Sequence, residues 1–205
     1  RMGSDVTTIP EVANHLISAG GKRLRPMLVL ATAGMCGYKG DGHLKFAAGI
    51  EFMHTATLLH DDVVDNATTR RGAATANTVW GNEASVLVGD FLFTKSFDLM
   101  VLHNDEEILR VMSKATTDLA EGEIMELLKT SDLETTEEAY YEVIASKTAV
   151  LLSAACEIGS LLGSVDRVRR NALRDFGHHG GMAFQLTDDY LDYSSSDAAL
   201  GKDAG

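Results

Sequence analysis

Asp61, Asp62 and Asp65 close an otherwise apolar stretch, HTATLLHDDVVDN. The same i, i+1, i+4 spacing returns at Asp188, Asp189 and Asp192 in FQLTDDYLD. Residues four apart share a helical face, so Asp61 and Asp65 point the same way with Asp62 one position round. Parallel carboxylates repel, and a cation between them relieves that repulsion. One such cluster in an acidic chain reads equally well as a solvated helix end. Two of them, each at the end of apolar helical sequence, read as a hard-oxygen site. Mg2+ fits, because it takes a few carboxylates, keeps several waters and completes its octahedron with phosphate oxygens. No Cys/His pair has zinc-like spacing.

Cationic residues supply a matching half. Lys22, Arg23 and Arg25 lie in GGKRLRP, just ahead of a helix N-terminus, where amides and the helix dipole also favour anions. Arg70 and Arg71 follow Asp65 closely and have two readings, neutralising the carboxylates or gripping phosphate in bidentate fashion. Lys147, beside Thr148 in an apolar helical run, either snorkels to water or reaches a phosphate. Gln185 stands three and four residues before Asp188 and Asp189 and faces the same space. His54, two turns before Asp61, reads on its own as a satisfied core histidine. His60 reads as a local hydrogen bonder, and His178 with His179 as a structural loop pair.

The elements that must carry these groups are helical. The 205 residues suffice for one domain, and 45% apolar against 23% charged residues with two prolines is a core-forming composition. No apolar run approaches the length of a membrane span. A net charge of −12 argues against non-specific nucleic-acid binding. Cys36 and Cys156 read as small buried residues and no signal peptide is visible, which points to a reducing, cytoplasmic setting. The pattern predicts a short helix in IPEVANHLIS stopped by Gly20 or Gly21, then one with Pro26 in its first turn. Further helices are predicted over residues 44–66, 83–103 and 105–129. Another opens on a capping box from Thr135 to Glu138. A last one starts near Val165, is interrupted by Gly177–Gly181 and resumes in MAFQLTDDYLD. Strand signals are nearly absent, so the fold class is all-α.

GGKRLRP, LLHDDVVDNATTRRG, the Lys147–Thr148 pair, FQLTDDYLD and the GK at Gly201 resemble the trans-polyprenyl diphosphate synthases, in that order and over essentially the whole chain. The similarity is strongest to long-chain members of the octaprenyl and decaprenyl kind. It implies an isoprenoid synthase-type helical bundle around a central cavity, as a single domain over residues 1–205 that lacks the N-terminal and C-terminal helices of the family. It implies condensation of isopentenyl diphosphate with an allylic diphosphate, farnesyl or geranylgeranyl, to a long all-trans product for quinone side chains such as that of ubiquinone. Lys22, Arg25, His54 and Arg71 would hold isopentenyl diphosphate. Asp61 and Asp65 would bind Mg2+ directly and Asp188 a further ion, with Asp189 and Asp192 close by, three ions being shared with the substrate. Arg70, Lys147, Thr148, Gln185 and Lys202 would contact the allylic diphosphate. Asp61, Asp65, Arg70, Lys147 and Asp188 are then the catalytic set.

In this family the fourth and fifth residues before the first Asp help set product length. Here they are Thr57 and Ala56, both small, which predicts an open tunnel. The family is usually homodimeric, and residues 83–103 are apolar enough for an interface. Three rival readings exist. A metal-dependent phosphohydrolase would use His60–Asp61, but leaves GGKRLRP and the second aspartate cluster without a role. A terpene cyclase shares the fold, yet commonly builds its second metal site differently. A non-catalytic subunit of a heteromeric synthase tends to lack the acidic motifs, and both are intact here.

Overall fold

A computed structural model describes residues 4–130 and 132–194, and Lys202 and Gly201 lie outside them. The chain divides into two compact units, one of Arg1–Arg23, Glu51–Asp98 and Tyr190–Gly205, the other of Leu24–Ile50 and Leu99–Asp189.

The first unit contains α1 (Thr8–Ser18), the C-terminal half of α3 (Gly42–Val64), α4 (Ala76–Trp80) and most of α5 (Asn82–Val101). Its core gathers Val12, Ala13 and Leu16 of α1, Ala56 and Leu59 of α3, Ala76, and Val88 and Leu92 of α5. Their spacing of three and four residues is what an amphipathic helix needs to bury one stripe. His15 is tied down at its ring, with Nε2 2.7 Å from the Ala74 carbonyl oxygen and its face edge-on to Trp80. Between α3 and α4 a two-residue ribbon pairs β1 (Thr69–Arg70) with β2 (Ala73–Ala74). Arg71 and Gly72 form its turn, with φ of +54° and +76°. With both central residues left-handed the turn has the twist of type I′, which matches that of the strands, so Arg71 accepts a conformation usually left to glycine or asparagine.

The second unit contains α2 (Leu24–Met35), the first half of α3, α6 (Glu106–Lys129), α7 (Glu137–Ile144), α8 (Val150–Leu162) and α9 (Arg167–Ser194) up to Asp189. α8 is its centre and packs against α2 and α6. A Cβ on Gly159 would stand 1.9 Å from Thr32 Oγ1, so that glycine sets how closely α2 approaches. α7 and α8 are joined by the π-helical turn Ala145–Ala149, which carries Lys147 and Thr148. Taken through that turn, Glu137–Leu162 is long and apolar enough by length and composition to cross a membrane, contrary to the expectation that no run approaches that length. Two thirds of its most apolar window (67%) is buried inside the protein, as a core helix requires. Burial also lifts the Cys156 thiol to about 11, while Cys36 is only half-buried.

The observed helices follow the predicted ones closely, with three departures. The cap of α7 is Thr136, which accepts from Ala139 N at 3.3 Å, whereas the Thr135 hydroxyl donates to the Asp132 carbonyl in the preceding turn. Gly177–Gly181 does not interrupt α9, which runs unbroken through it. Those glycines answer to a neighbour: a Cβ on Gly177 would lie 2.6 Å from the Leu152 carbonyl, and one on Gly181 2.5 Å from Ala149 Cα. Consequently His178 and His179 sit on a helix and not in a loop, their rings edge-to-face.

Candidate active site

α3 delivers the first aspartates. Asp61 is half-buried and Asp65 exposed, but Asp62 is wholly buried. It lies three residues after Leu59 and seven after Thr55, on the buried face, so it is the carboxylate that the helix turns inward. Arg70 Nε donates to Asp62 Oδ1 at 2.6 Å. The Asp62 carbonyl accepts from Asn77 Nδ2 and from Ala67 N, each at 3.0 Å, while Oδ2 has no hydrogen-bond partner. Burial pushes the Asp62 carboxyl above its ordinary pKa even though the Arg70 charge pulls it down.

The glycine-led loop after α1 is held from several sides. Gly20, Gly21 and Arg23 have φ of +98°, +136° and +51°. The Arg23 guanidinium bridges the Glu51 carboxylate and the Ile17 carbonyl. Arg71 Nη1 donates to the Gly20 carbonyl, and a Cβ on Gly21 would stand 2.9 Å from that nitrogen. Lys22 is exposed in this loop, and His54, one turn after Glu51 on α3, is half-buried. Arg25 sits in the first turn of α2, in the other unit. Ala56 is fully buried in the core around α1 and α5, and the Thr57 hydroxyl donates to the His54 carbonyl at 2.9 Å.

α9 delivers the second aspartates, Asp188 and Asp189 half-buried and Asp192 likewise. Asp189 is gripped by neutral donors: Tyr140 OH at 2.5 Å on Oδ2 and Gln185 Nε2 at 2.7 Å on Oδ1. The Gln185 carbonyl oxygen accepts from the buried Thr148 hydroxyl at 2.6 Å. Lys147 is shared by two carboxylates of α6, in close contact with Glu126 and 3.3 Å from Glu123. Gly122 makes this possible, since a Cβ there would come within 2.9 Å of Lys147 N.

Within each unit, then, the expected groups come together as Arg70 with the first aspartates, and Thr148 and Gln185 with Asp189. Among the described residues no three His, Cys, Asp or Glu side chains gather as a metal site. Carboxylates repel one another, and here Asp62 and Asp189 each take donors of their own. The donors are nonetheless of the right kind. An all-aspartate oxygen set suits Mg2+, and the buried Asp62 oxygen without a partner marks surplus acceptor capacity at the first cluster. Sequence reasoning missed Asp62, Glu51, Asn77, Tyr140, Glu123 and Glu126 as working parts. Only Asp62 carried a signal, its place on the Thr55–Leu59 face; the others act across tertiary contacts.

Comparison with known proteins shows the family to which the chain belongs. Residues 6–205 match the family model described as Polyprenyl synthetase. A polyprenyl synthase structure from Caulobacter crescentus CB15, complexed with calcium and isoprenyl diphosphate, superimposes with a TM-score of 0.97 at 50% identity, covering all of this chain and 62% of that one. A decaprenyl diphosphate synthase structure from Rhodobacter capsulatus gives 0.94 at 50% identity, covering 100% and 63%. The octaprenyl diphosphate synthase of Escherichia coli K12 is 47% identical over 205 residues. The chain belongs to the polyprenyl synthetase family, and its all-α architecture is that of isoprenoid synthases. It spans 64% of the Escherichia coli enzyme's length, a little under two thirds.

Proposed function

We propose that this protein is a prenyltransferase that condenses isopentenyl diphosphate with farnesyl or geranylgeranyl diphosphate into a long all-trans polyprenyl diphosphate for quinone side chains. The observation that carries the reading is the chain Thr148–Gln185–Asp189–Tyr140 next to Lys147, in which phosphate-binding groups and a candidate metal-binding carboxylate form one hydrogen-bonded set. A relative bound to isoprenyl diphosphate and calcium supports both the diphosphate and the divalent cation. The protein acts in the cytoplasm as a homodimer, with exposed Leu87 and Phe93 of α5 offering apolar interface surface.

The reaction joins carbon to carbon. The allylic carbon–oxygen bond breaks, diphosphate departs with the electron pair, and the isopentenyl double bond attacks the allylic cation. Mg2+, held by Asp61, Asp65 and Asp188 with Asp189 and Asp192 nearby, would supply charge neutralisation to the leaving diphosphate. Arg70, Lys147 and, beyond the described residues, Lys202 add fixed positive charge there, with Thr148 and Gln185 as neutral ligands. Lys22, Arg25, His54 and Arg71 hold the isopentenyl diphosphate, so that positioning replaces a bimolecular search. The released diphosphate accepts the final proton. Ala56 and Thr57 are the positions that set product length, Ala56 from within the packed core, where a bulkier side chain would push its neighbours toward the growing chain.

The test is product analysis. Full-length protein incubated with farnesyl diphosphate, isopentenyl diphosphate and Mg2+ should yield long polyprenols after dephosphorylation, read by mass spectrometry. Unchanged primers or cyclised hydrocarbons would refute the reading. Ala56→Tyr should shorten the product; thermal unfolding run alongside separates this from the cost of overpacking a full core, about 1–3 kcal/mol.

A further inference from the structure

The loop between α1 and α2 adopts a conformation that its own residues do not favour. Arg23 is left-handed at φ +51°, a strained conformation that a residue with a Cβ keeps only where its surroundings impose it. The surroundings do. One edge of the Arg23 guanidinium meets Glu51 on α3, a carboxylate only 15% exposed, and the other meets the last-turn carbonyl of Ile17. The next cation along, Arg71, donates to the Gly20 carbonyl of the same loop. Arg71 remains an exposed side chain, yet partial burial of its guanidinium, followed by the charges of Arg23 and Arg70, weakens its hold on its proton, and Glu51 acts against that. Glu51 is therefore both the fixed point of the loop and a counter-charge to a crowd of guanidiniums. His54 projects from the next turn of the same helix.

We propose that Glu51 and Arg23 are positioning residues for the diphosphate of isopentenyl diphosphate. Their clamp fixes the backbone from which Lys22 projects and the carbonyl on which Arg71 rests. Neither residue touches the substrate. The inference rests on the synthase reading above, and it makes binding of the isopentenyl partner, not of the allylic one, depend on a half-buried carboxylate.

The test uses Glu51→Gln, Arg23→Ala and the double variant of the full-length protein. Each single change should raise KM for isopentenyl diphosphate about tenfold, the scale of one lost charge-assisted hydrogen bond. The turnover number and the KM for farnesyl diphosphate should stay within about twofold. The double variant should be no worse than the poorer single one, since both act through one contact. Should those variants unfold, Arg23→Lys, which keeps the charge but loses the two-edged reach, should show the same split at smaller size. An unchanged KM for isopentenyl diphosphate, a fall in it, a parallel rise in both KM values, or additive losses would overturn the clamp. Calorimetric binding of inorganic pyrophosphate separates the two readings. A wild-type protein that makes no polyprenyl product but binds pyrophosphate, with Glu51→Gln weakening it, keeps the clamp and sinks the synthase. An active wild type whose Glu51→Gln variant binds pyrophosphate as before does the reverse.

Discussion

The two aspartate clusters share a spacing and differ in what holds their middle member. At the end of α3, Asp62 is fully buried and faces a cation, Arg70. Toward the end of α9, Asp189 is half-buried and faces a phenol and an amide. A buried carboxylate needs a charge opposite it, because the cost of desolvating it exceeds what neutral donors return. A carboxylate that keeps part of its hydration is satisfied by hydrogen bonds alone. The first cluster is thus built as an anchored ion pair and the second as a neutral hydrogen-bond relay that reaches Thr148.

The largest losses are expected at the first aspartate of each cluster. Asp61→Ala and Asp188→Ala should each lower the turnover number by about 10²–10³, the usual consequence of losing one electrostatic contact to developing charge. A loss confined to one of them would mean that the clusters are not functional equals. Next comes Arg70→Met, which strands the buried Asp62 charge. Its expected cost in urea unfolding is about 3 kcal/mol, the low end for a broken buried pair because Arg70 is 27% exposed. Tyr140→Phe should cost less, about 1–2 kcal/mol, and should raise KM for the allylic diphosphate while leaving that for isopentenyl diphosphate unchanged.

The smallest effect lies in the pH response. Burial raises the Asp62 pKa above its ordinary value, so the folded state is favoured most fully below the unfolded value. That contribution is lost as pH rises through the folded one. The urea midpoint of wild type should therefore fall relative to that of Asp62→Asn as pH climbs through the carboxylate range. The opposite trend would show that pairing with Arg70 outweighs burial.

Much of this was legible in the sequence. Apolar periodicity located the long helices to within a few residues, and the i, i+1, i+4 repeats marked both aspartate-bearing helix ends. Burial of Asp62 was readable from its register with Thr55 and Leu59, but a three-aspartate motif draws attention to the outward pair. Gly177 and Gly181 misled, because glycine reports conformational freedom and close approach with the same letter, and only the position of α8 tells which applies. The π-helical turn under Lys147 and the glutamates of α6 that hold it depend on packing through Gly122, which no local pattern encodes. The Arg23–Glu51 contact joins residues 28 apart and is equally invisible to periodicity.

The central claim is that both aspartate clusters serve one allylic diphosphate. It is tested most directly by the affinity of a non-ionisable farnesyl thiodiphosphate, measured with Mg2+ for wild type, Asp61→Ala, Asp188→Ala and the double variant. Strong coupling is expected, with each single change weakening binding and the double variant scarcely weaker than the poorer single one. Independent, additive losses would show two clusters that share no ligand.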